Sequence, residues 1–369
     1  MDNCVIPHGY KATALGIIPQ EWEVMLLGNL SNSISSGRNK HRDAHGQYPV
    51  FGSTGIIGYS STYEYEGPVI LVARVGANAG TLNFASGQYD VSDNTLIITI
   101  KQNVYDYNFA YNQLTHYKLN KLVFGSGQPL ITSKQLKNIR IPVPPLAEQR
   151  KIAEVLGVWD KAIEKQARLI EKLALRKRAL MQRLLSAKLR LPGFSEPWKK
   201  VKLGDVAELY QPQTIQSEDL SQTGYPVYGA NGLIGYYNNY NHEYPQVVIT
   251  CRGSSCGTVN FTPGKCWITG NAMVLNVDNN RDVNKSFFYY LISNSSFVNL
   301  ISGSGQPQIV RQPLFKFELR IPPLKEQTAI AEVLTAADRE IDLAKEKLER
   351  LRRQKRGLMQ QLLTGKKRI

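Results

Sequence analysis

Hydrophobic and polar positions in this chain follow one pattern twice. From Pro144-Pro145 to about Ser186 no proline occurs, and apolar residues fall at Ile152, Leu156, Trp159, Ile163, Ile170, Leu173, Leu180 and Leu184. The spacing alternates 4 and 3, with Gln166 and Lys177 in the two missing places. After Pro322-Pro323 the stripe returns as Ile330, Leu334, Ala337, Ile341, Ala344, Leu348, Leu351, Leu358 and Leu362, with Lys355 in the place of Lys177. Proline suits a helix start, where the first amide has no helical partner anyway. A stripe repeating every 3.5 residues seeks one partner helix of the same kind. The partner is present in the same chain. The pattern therefore predicts two helices, each about 60 Å long, paired as an antiparallel coiled coil with an approximate two-fold axis.

The segments that precede the helices read as strands and turns. VILVARVGANAGTLNF at 69–84 and QVVITCRGSSCGTVNF at 246–261 are β-branched runs broken by glycine. TLIITI at 95–100 and MVLNV at 273–277 have strand length, whereas 107–122 and 284–301 read as helices. The fold class is α+β: two pseudo-symmetric globular parts joined by two long helices. The division is 1–145 globular, 146–188 helix, 189–323 globular and 324–369 helix. LRLPGFSEPW at 189–198 leads into the second module as ALGIIPQEW leads into the first.

The words repeat as well as the pattern. YPVFGSTGIIGYSSTY at 48–63 returns as YPVYGANGLIGYYNNY at 225–240, and GSGQP at 125–129 returns at 303–307. PPLAEQ at 144–149 returns as PPLKEQ at 322–327, IAEVL at 152–156 returns at 330–334, and KRALMQRLL at 177–185 returns as KRGLMQQLL at 355–363. An offset of 176 to 178 residues is the length of a domain, not of a solenoid repeat. Each copy should carry its own version of one site.

Composition narrows the class. Of 369 residues, 42 % are hydrophobic and 20 % charged, as in globular proteins. No apolar run approaches the roughly 18 residues that span a bilayer, and the N-terminus lacks a signal-peptide pattern. These features predict a cytoplasmic chain with no membrane partner. Cys251, Cys256 and Cys266 lie close together, but their counterparts in the first copy read as Ala73, Ala79 and Tyr89. They are expected to be free thiols on strands rather than metal ligands. His41 and His45 have metal-type spacing within a polar loop, and no zinc site is expected there.

Charge locates a partner. The net charge is +15; residues 148–190 carry a net +7 and residues 324–369 a net +5. Most of the excess therefore sits on the two helices and points to a polyanionic partner. No catalytic motif is found: no Asn-Pro-Pro-Tyr or Asp-Pro-Pro sequence, Walker loop, HExxH, GxSxG or Cys-His pairing, and GSGQP lacks the third glycine of a dinucleotide fingerprint. The chain reads as a recognition protein with no catalytic residues, no metal and no cofactor of its own. Each module carries glycine loops with polar tips, where the backbone can approach a ligand. Arg74 and Arg252 follow an apolar strand at matched positions, and Gln128 and Gln306 lie in the GSGQP loops. Arginine and glutamine suit bidentate reading of guanine and adenine edges. The further DNA-contact candidates are Arg38, Lys40, Arg42, Ser53, Gln211, Gln213 and Asn231.

YPVYGANGLIGY, the Arg-Gly strand, GSGQP, IPPLKEQ-x-x-IAEVL and the KRGLMQQLL helix end together resemble the specificity subunit of type I restriction-modification systems, over nearly the whole chain in both copies. The resemblance implies that the globular parts are target recognition domains, each reading half of an asymmetric, bipartite site on double-stranded DNA. It implies that the helices space the halves and help dock two modification subunits, which methylate adenine with S-adenosylmethionine, and through them the restriction subunits. Two alternatives remain: a related bipartite system whose single partner both cuts and methylates, and a protein-interaction scaffold that does not touch DNA.

Overall fold

The computed structural model describes residues 6–40, 43, 45–125, 129–229, 232–303 and 305–369. Candidates Arg42, Gln128 and Asn231, together with His41, lie outside the described residues. The chain divides into two compact units, one of residues 1–167 with 346–369, the other of residues 168–345. A unit is therefore not a sequence repeat. It is one globular part with a portion of each long helix.

In the first unit a four-stranded antiparallel sheet runs in the order Ser31–Ser36, Thr95–Ile100, Val69–Ala73, Leu82–Ala85. Every residue of Val69–Ala73 is buried, as a continuous β-branched run requires. A second sheet pairs Gly55–Ser60 with Tyr48–Gly52, then Gln88–Val91 and Tyr65–Glu66. Its Tyr48–Gly52 and Gln88–Val91 strands are parallel. The helix Tyr107–Tyr117 is shorter than the sequence predicts. Lys118 takes a left-handed conformation (φ 60°) and a short 3-10 turn, Leu119–Leu122, follows. Its start is set by Asp106, whose carboxylate accepts from the Phe109 N–H at 2.9 Å.

The second unit repeats this plan. Its main sheet runs Glu208–Tyr210, Ala272–Asn276, Val247–Thr250, Val259–Phe261. Tyr225–Gly229 pairs with Gly232–Tyr237 and, in parallel, with Trp267–Ile268. The helix Lys285–Ser293 is likewise shorter than expected and is capped by Asn284, which accepts from the Phe287 N–H at 3.0 Å.

The long helices span Leu146–Leu184 and Leu324–Leu362, 39 residues each. Their antiparallel course is visible inside each unit. In the first, Ile152 and Leu156 share a core with Met359, Leu362 and Leu363, and Lys355 Nζ pairs with Asp160 Oδ1 at 2.6 Å. In the second, Leu184 and Leu185 share a core with Ile330 and Leu334, while Leu173 packs with Ile341 and Ala344. Every seam residue is buried or half-buried, including Trp159, Ile163, Ile170, Leu180, Leu348, Leu351 and Leu358. The lysine that interrupts each stripe is explained by its partner: Lys177 Nζ meets Asp338 Oδ1 at 2.5 Å, the counterpart of Lys355 with Asp160. A polar layer of this kind specifies register more than it adds stability.

Candidate nucleic-acid interface

Strand direction gathers the described sequence candidates of the first unit, Arg38, Lys40, Ser53 and Arg74, at one sheet end. Ser31–Ser36 and Val69–Ala73 both run antiparallel to the strand between them, so both finish where Thr95 begins. Just past that end, the Gly37 N–H donates to the Thr95 carbonyl, and the Arg38 and Asn39 N–H groups donate to the Val91 carbonyl, all within 3.0 Å. The Ser92 N–H donates to the Phe51 carbonyl at 2.9 Å, which brings in the Gly52–Gly55 turn with Ser53 at its tip. The Gly76 N–H, two residues past Arg74, donates to the Pro129 carbonyl at 2.9 Å. Arg38 and Lys40 are exposed; Ser53 and Arg74 are half-buried. Arg38 faces Glu64 across 3.7 Å, an exposed pair that adds little stability and leaves the guanidinium available.

The second unit builds the same end. The Gly253 N–H donates to the Pro307 carbonyl at 3.0 Å, which attaches its GSGQP loop with the exposed Gln306. Gln211 Nε2 donates to Cys251 Sγ and to the Gly270 carbonyl, both at 3.0 Å. The Gln213 carbonyl accepts from Trp267 Nε1 at 3.3 Å. Behind them His242 is buried between Tyr210 and Asn241.

The hydrogen bonds correct one expectation. Arg74 and Arg252 are not at matched positions. The Arg74 N–H donates to Asn94 O, and it is the Cys251 N–H that donates to Asn271 O; Gly80 bonds back to Ala73, and Gly257 to Thr250. Cys251 therefore stands where the first unit has Arg74, and Arg252 where it has Val75. The Cys251 counterpart is Arg74, not Ala73. The error came from a one-residue change of repeat offset, which moves a side chain to the opposite face of extended chain. Arg74 Nη1 donates to Ser36 Oγ at 3.2 Å, while its Nε is buried without a hydrogen-bond partner. Arg252 is exposed.

Cys251 and Cys266 are buried free thiols and Cys256 is half-buried. Burial raises the pKa of Cys251 and Cys266, which keeps them protonated. Among the described residues no group of three His, Cys, Asp or Glu could hold a metal ion.

Sequence reading gave no role to the Glu-Gln of the repeated PPLAEQ and PPLKEQ words, and the structure supplies one. Gln149 Oε1 accepts from the Asp106 N–H at 2.9 Å, and its Nε2 donates to the Val104 and Pro144 carbonyls at 2.9 and 2.8 Å. Gln327 does the same with Asn284, Asp282 and Pro322, each at 2.9 Å. Glu148 accepts from Trp22 Nε1 at 3.1 Å and from both Arg368 Nε and Nη2. Glu326 accepts from Trp198 Nε1 at 3.3 Å and from Arg190 Nε and Nη2 at 2.6 and 2.8 Å. A buried carboxylate is tolerable when a guanidinium meets it with two bonds. The arginines reach it because each long helix is followed, three residues on, by a left-handed residue, Ala187 (φ 59°) or Gly365 (φ 72°), that turns the chain back. At Gly365 a Cβ would also strike Pro19 at 2.3 Å. These joints fix each globular part to the long helices of its unit.

Two modules of one plan, each with loops gathered at a sheet end and a locked joint to a paired helix, define a two-domain chain organised around an antiparallel coiled coil. A family model described as the type I restriction modification DNA specificity domain matches residues 19–174 and again 195–353. The chain belongs to this family. It is 24 % identical to the type I restriction enzyme MjaVIII specificity subunit of Methanocaldococcus jannaschii, over 95 % of this chain and 94 % of that protein. It is 26 % identical to the putative type I restriction enzyme MjaX specificity subunit of the same organism, over 98 % and 97 %. In fold it is similar to the crystal structure of the type I restriction-modification system S subunit from M. genitalium, with a TM-score of 0.65, 20 % identity, and coverage of 93 % of this chain and 96 % of that one. The two globular parts are the target recognition domains of a type I specificity subunit. No helix among the described residues is long and apolar enough to cross a membrane.

Proposed function

We propose that this chain selects the DNA sequence for a restriction-modification complex and leaves the chemistry to other subunits. Each target recognition domain reads one half of a bipartite, asymmetric site on double-stranded DNA, residues 1–145 one half and residues 189–323 the other. The helices at 146–188 and 324–369 set the gap between the halves. They also present basic surface to two modification subunits, through which restriction subunits join. S-adenosylmethionine belongs to the modification subunits. A cytoplasmic location goes with this reading.

The observation that carries the proposal is one repeated scaffold with two different loop ends. The scaffold is held by the same joint in both units, whereas Arg74 in one end gives way to Cys251 in the other. Two identical ends would read a palindrome; two different ends read an asymmetric site. Methylome sequencing of a host that expresses this chain with its cognate modification subunit tests it. Methylation at a split motif with unlike halves is the expected result. Methyl transfer by the purified chain without partners, or a contiguous motif, would overturn the proposal.

A further inference from the structure

Sheet register equates the end of Ser31–Ser36 with the residue after Glu208–Tyr210. Ile97 pairs with Ser35 and with Leu71, and Val274 pairs with Tyr210 and with Val248. Leu71 and Val248 are equivalent, since the residues two beyond them, Ala73 and Thr250, accept the matching bonds from Gly80 and Gly257. Ser35 thus corresponds to Tyr210, and Ser36 to Gln211. Two positions that face each other across the sheet end are therefore occupied by Ser36 and Arg74 in one domain and by Gln211 and Cys251 in the other. In both domains the two side chains are bonded to each other: Arg74 Nη1 to Ser36 Oγ at 3.2 Å, and Gln211 Nε2 to Cys251 Sγ at 3.0 Å. The long, multiply bonding side chain has changed strands, and the short one has changed with it.

We propose that this facing pair is a specificity determinant in each domain, with Arg74 reading a guanine in one half-site and Gln211 reading an adenine in the other. The inference rests on the reading that each domain binds half of a DNA site. Comparison of the two domains favours this pair. The joints, the caps and the glycine turns are common to both domains and so cannot distinguish unlike half-sites, while the pair differs in length, charge and donor pattern. An arginine presents two donors that match O6 and N7 of guanine; a glutamine presents one acceptor and one donor that match the N6 amino group and N7 of adenine, respectively. Arg74 is held at the edge by one bond to a small hydroxyl and keeps a buried Nε without a partner, so a base edge offers it more than its present setting does. Gln211 is exposed and held by a weak sulfur acceptor and one carbonyl. Arg252 projects from the next residue of extended chain, on the opposite face from Cys251, and is exposed.

The test exchanges the pairs within the complex of full-length chain and modification subunit. In the variant S36Q/R74C the first half-site should lose its guanine requirement in favour of adenine, with methylation of the original site down about 10- to 100-fold. The second half-site should be unchanged. Q211S/C251R should do the converse. A folded exchange variant that methylates the original motif at the wild-type rate overturns the inference, and so does uniform weakening over all sequences, which marks a phosphate contact. Should a thermal melt show that the exchange does not fold, Arg74→Lys keeps the charge and a donor near Ser36. It should lower discrimination at the guanine alone; undiminished discrimination overturns the inference. If the wild-type complex leaves no split motif at all, the underlying reading falls as well, which separates the two failures.

Discussion

The joint between globular domain and long helix is built on the same glutamine, glutamate, tryptophan and arginine bonds in both halves of the chain, while the sheet end that carries the loops differs. Gln149 and Gln327 each make three hydrogen bonds to equivalent groups. Trp22, Glu148 and Arg368 form the same node as Trp198, Glu326 and Arg190. At the sheet ends, by contrast, arginine faces serine in one domain and glutamine faces cysteine in the other. Two domains that must be held alike but read differently should diverge at one place and not the other. On the proposed reading, the difference between halves separates structural residues from discriminating ones without any comparison outside the chain.

The sharpest test of the likeness is to make the two halves identical. The first unit is completed by residues 346–369, whose Met359, Leu362 and Leu363 lie in its core. Residues 1–190 alone lack that cover but carry its equivalents, Met181, Leu184 and Leu185. A second copy running antiparallel would set Lys177 against Asp160, as Lys355 is set now, and Arg190 against Glu148, as Arg368 is. We expect residues 1–190 to form a homodimer at micromolar concentration that selects a palindrome. Sedimentation that finds a folded monomer would break the equivalence.

Next in size come the joints. Gln149→Ala leaves the Asp106 N–H and the Val104 and Pro144 carbonyls unpaired, and Gln327→Ala orphans the matching three groups. The Pro144 and Pro322 bonds are buried and the others only partly so; a buried unsatisfied group costs about 1–3 kcal/mol, so each variant should lose about that much in denaturant titrations. A large loss from one and none from the other would show that the joints differ in weight.

The polar seam should matter less. Lys355→Ala leaves Asp160, whose side chain is 54 % exposed and can be solvated; the cost should be about 1 kcal/mol or below. Lys177→Ala leaves Asp338 35 % exposed and still bonded to the Tyr290 hydroxyl at 2.7 Å, and should cost somewhat more. Double-mutant cycles with Asp160 and Asp338 measure both. Equal coupling energies would contradict this ordering.

The smallest expected effect is confined to one half. His242 accepts from the Tyr210 hydroxyl at 3.0 Å and donates from Nδ1 to Asn241 Oδ1 at 2.6 Å. The amide is oriented by the Ile268 N–H, which donates to that same oxygen. This setting suits the neutral ring, and burial lowers its pKa below the usual 6.5, against a smaller opposing pull from Asp278. A base whose folded pKa is depressed binds fewer protons folded than unfolded, so stability falls as pH drops through about 6.5. The second domain should lose stability between pH 7 and pH 5, and His242→Asn should flatten that slope. An unchanged slope in the variant would assign it to other groups.

How much of this was legible in the chain depends on how local the cause was. The 4-and-3 stripe from Ile152 to Leu184 and from Ile330 to Leu362 specified the helix pair, because a period is a property of sequence. Pro145 and Pro323 marked the helix starts for the same kind of reason. The ends of Tyr107–Tyr117 and Lys285–Ser293 were missed, since apolar residues continue past Lys118 and Asn294 while the backbone does not. The PPLAEQ repeat announced that something was shared, but the partners of Gln149 lie more than 40 residues away at Val104 and Asp106.

By itself, then, the sequence determined that there are two copies of one module, two paired helices and a basic recognition protein without catalytic motifs. Only the tertiary structure decided which residues correspond. The offset is 177 residues at Ala73 and Thr250 but 178 at Asp106 and Asn284, and a shift of one turns an extended side chain to the other face. Hydrogen bonds between strands distant in sequence fix that register, so Arg74 found its true counterpart in Cys251, and Ser36 in Gln211, once the sheets were paired.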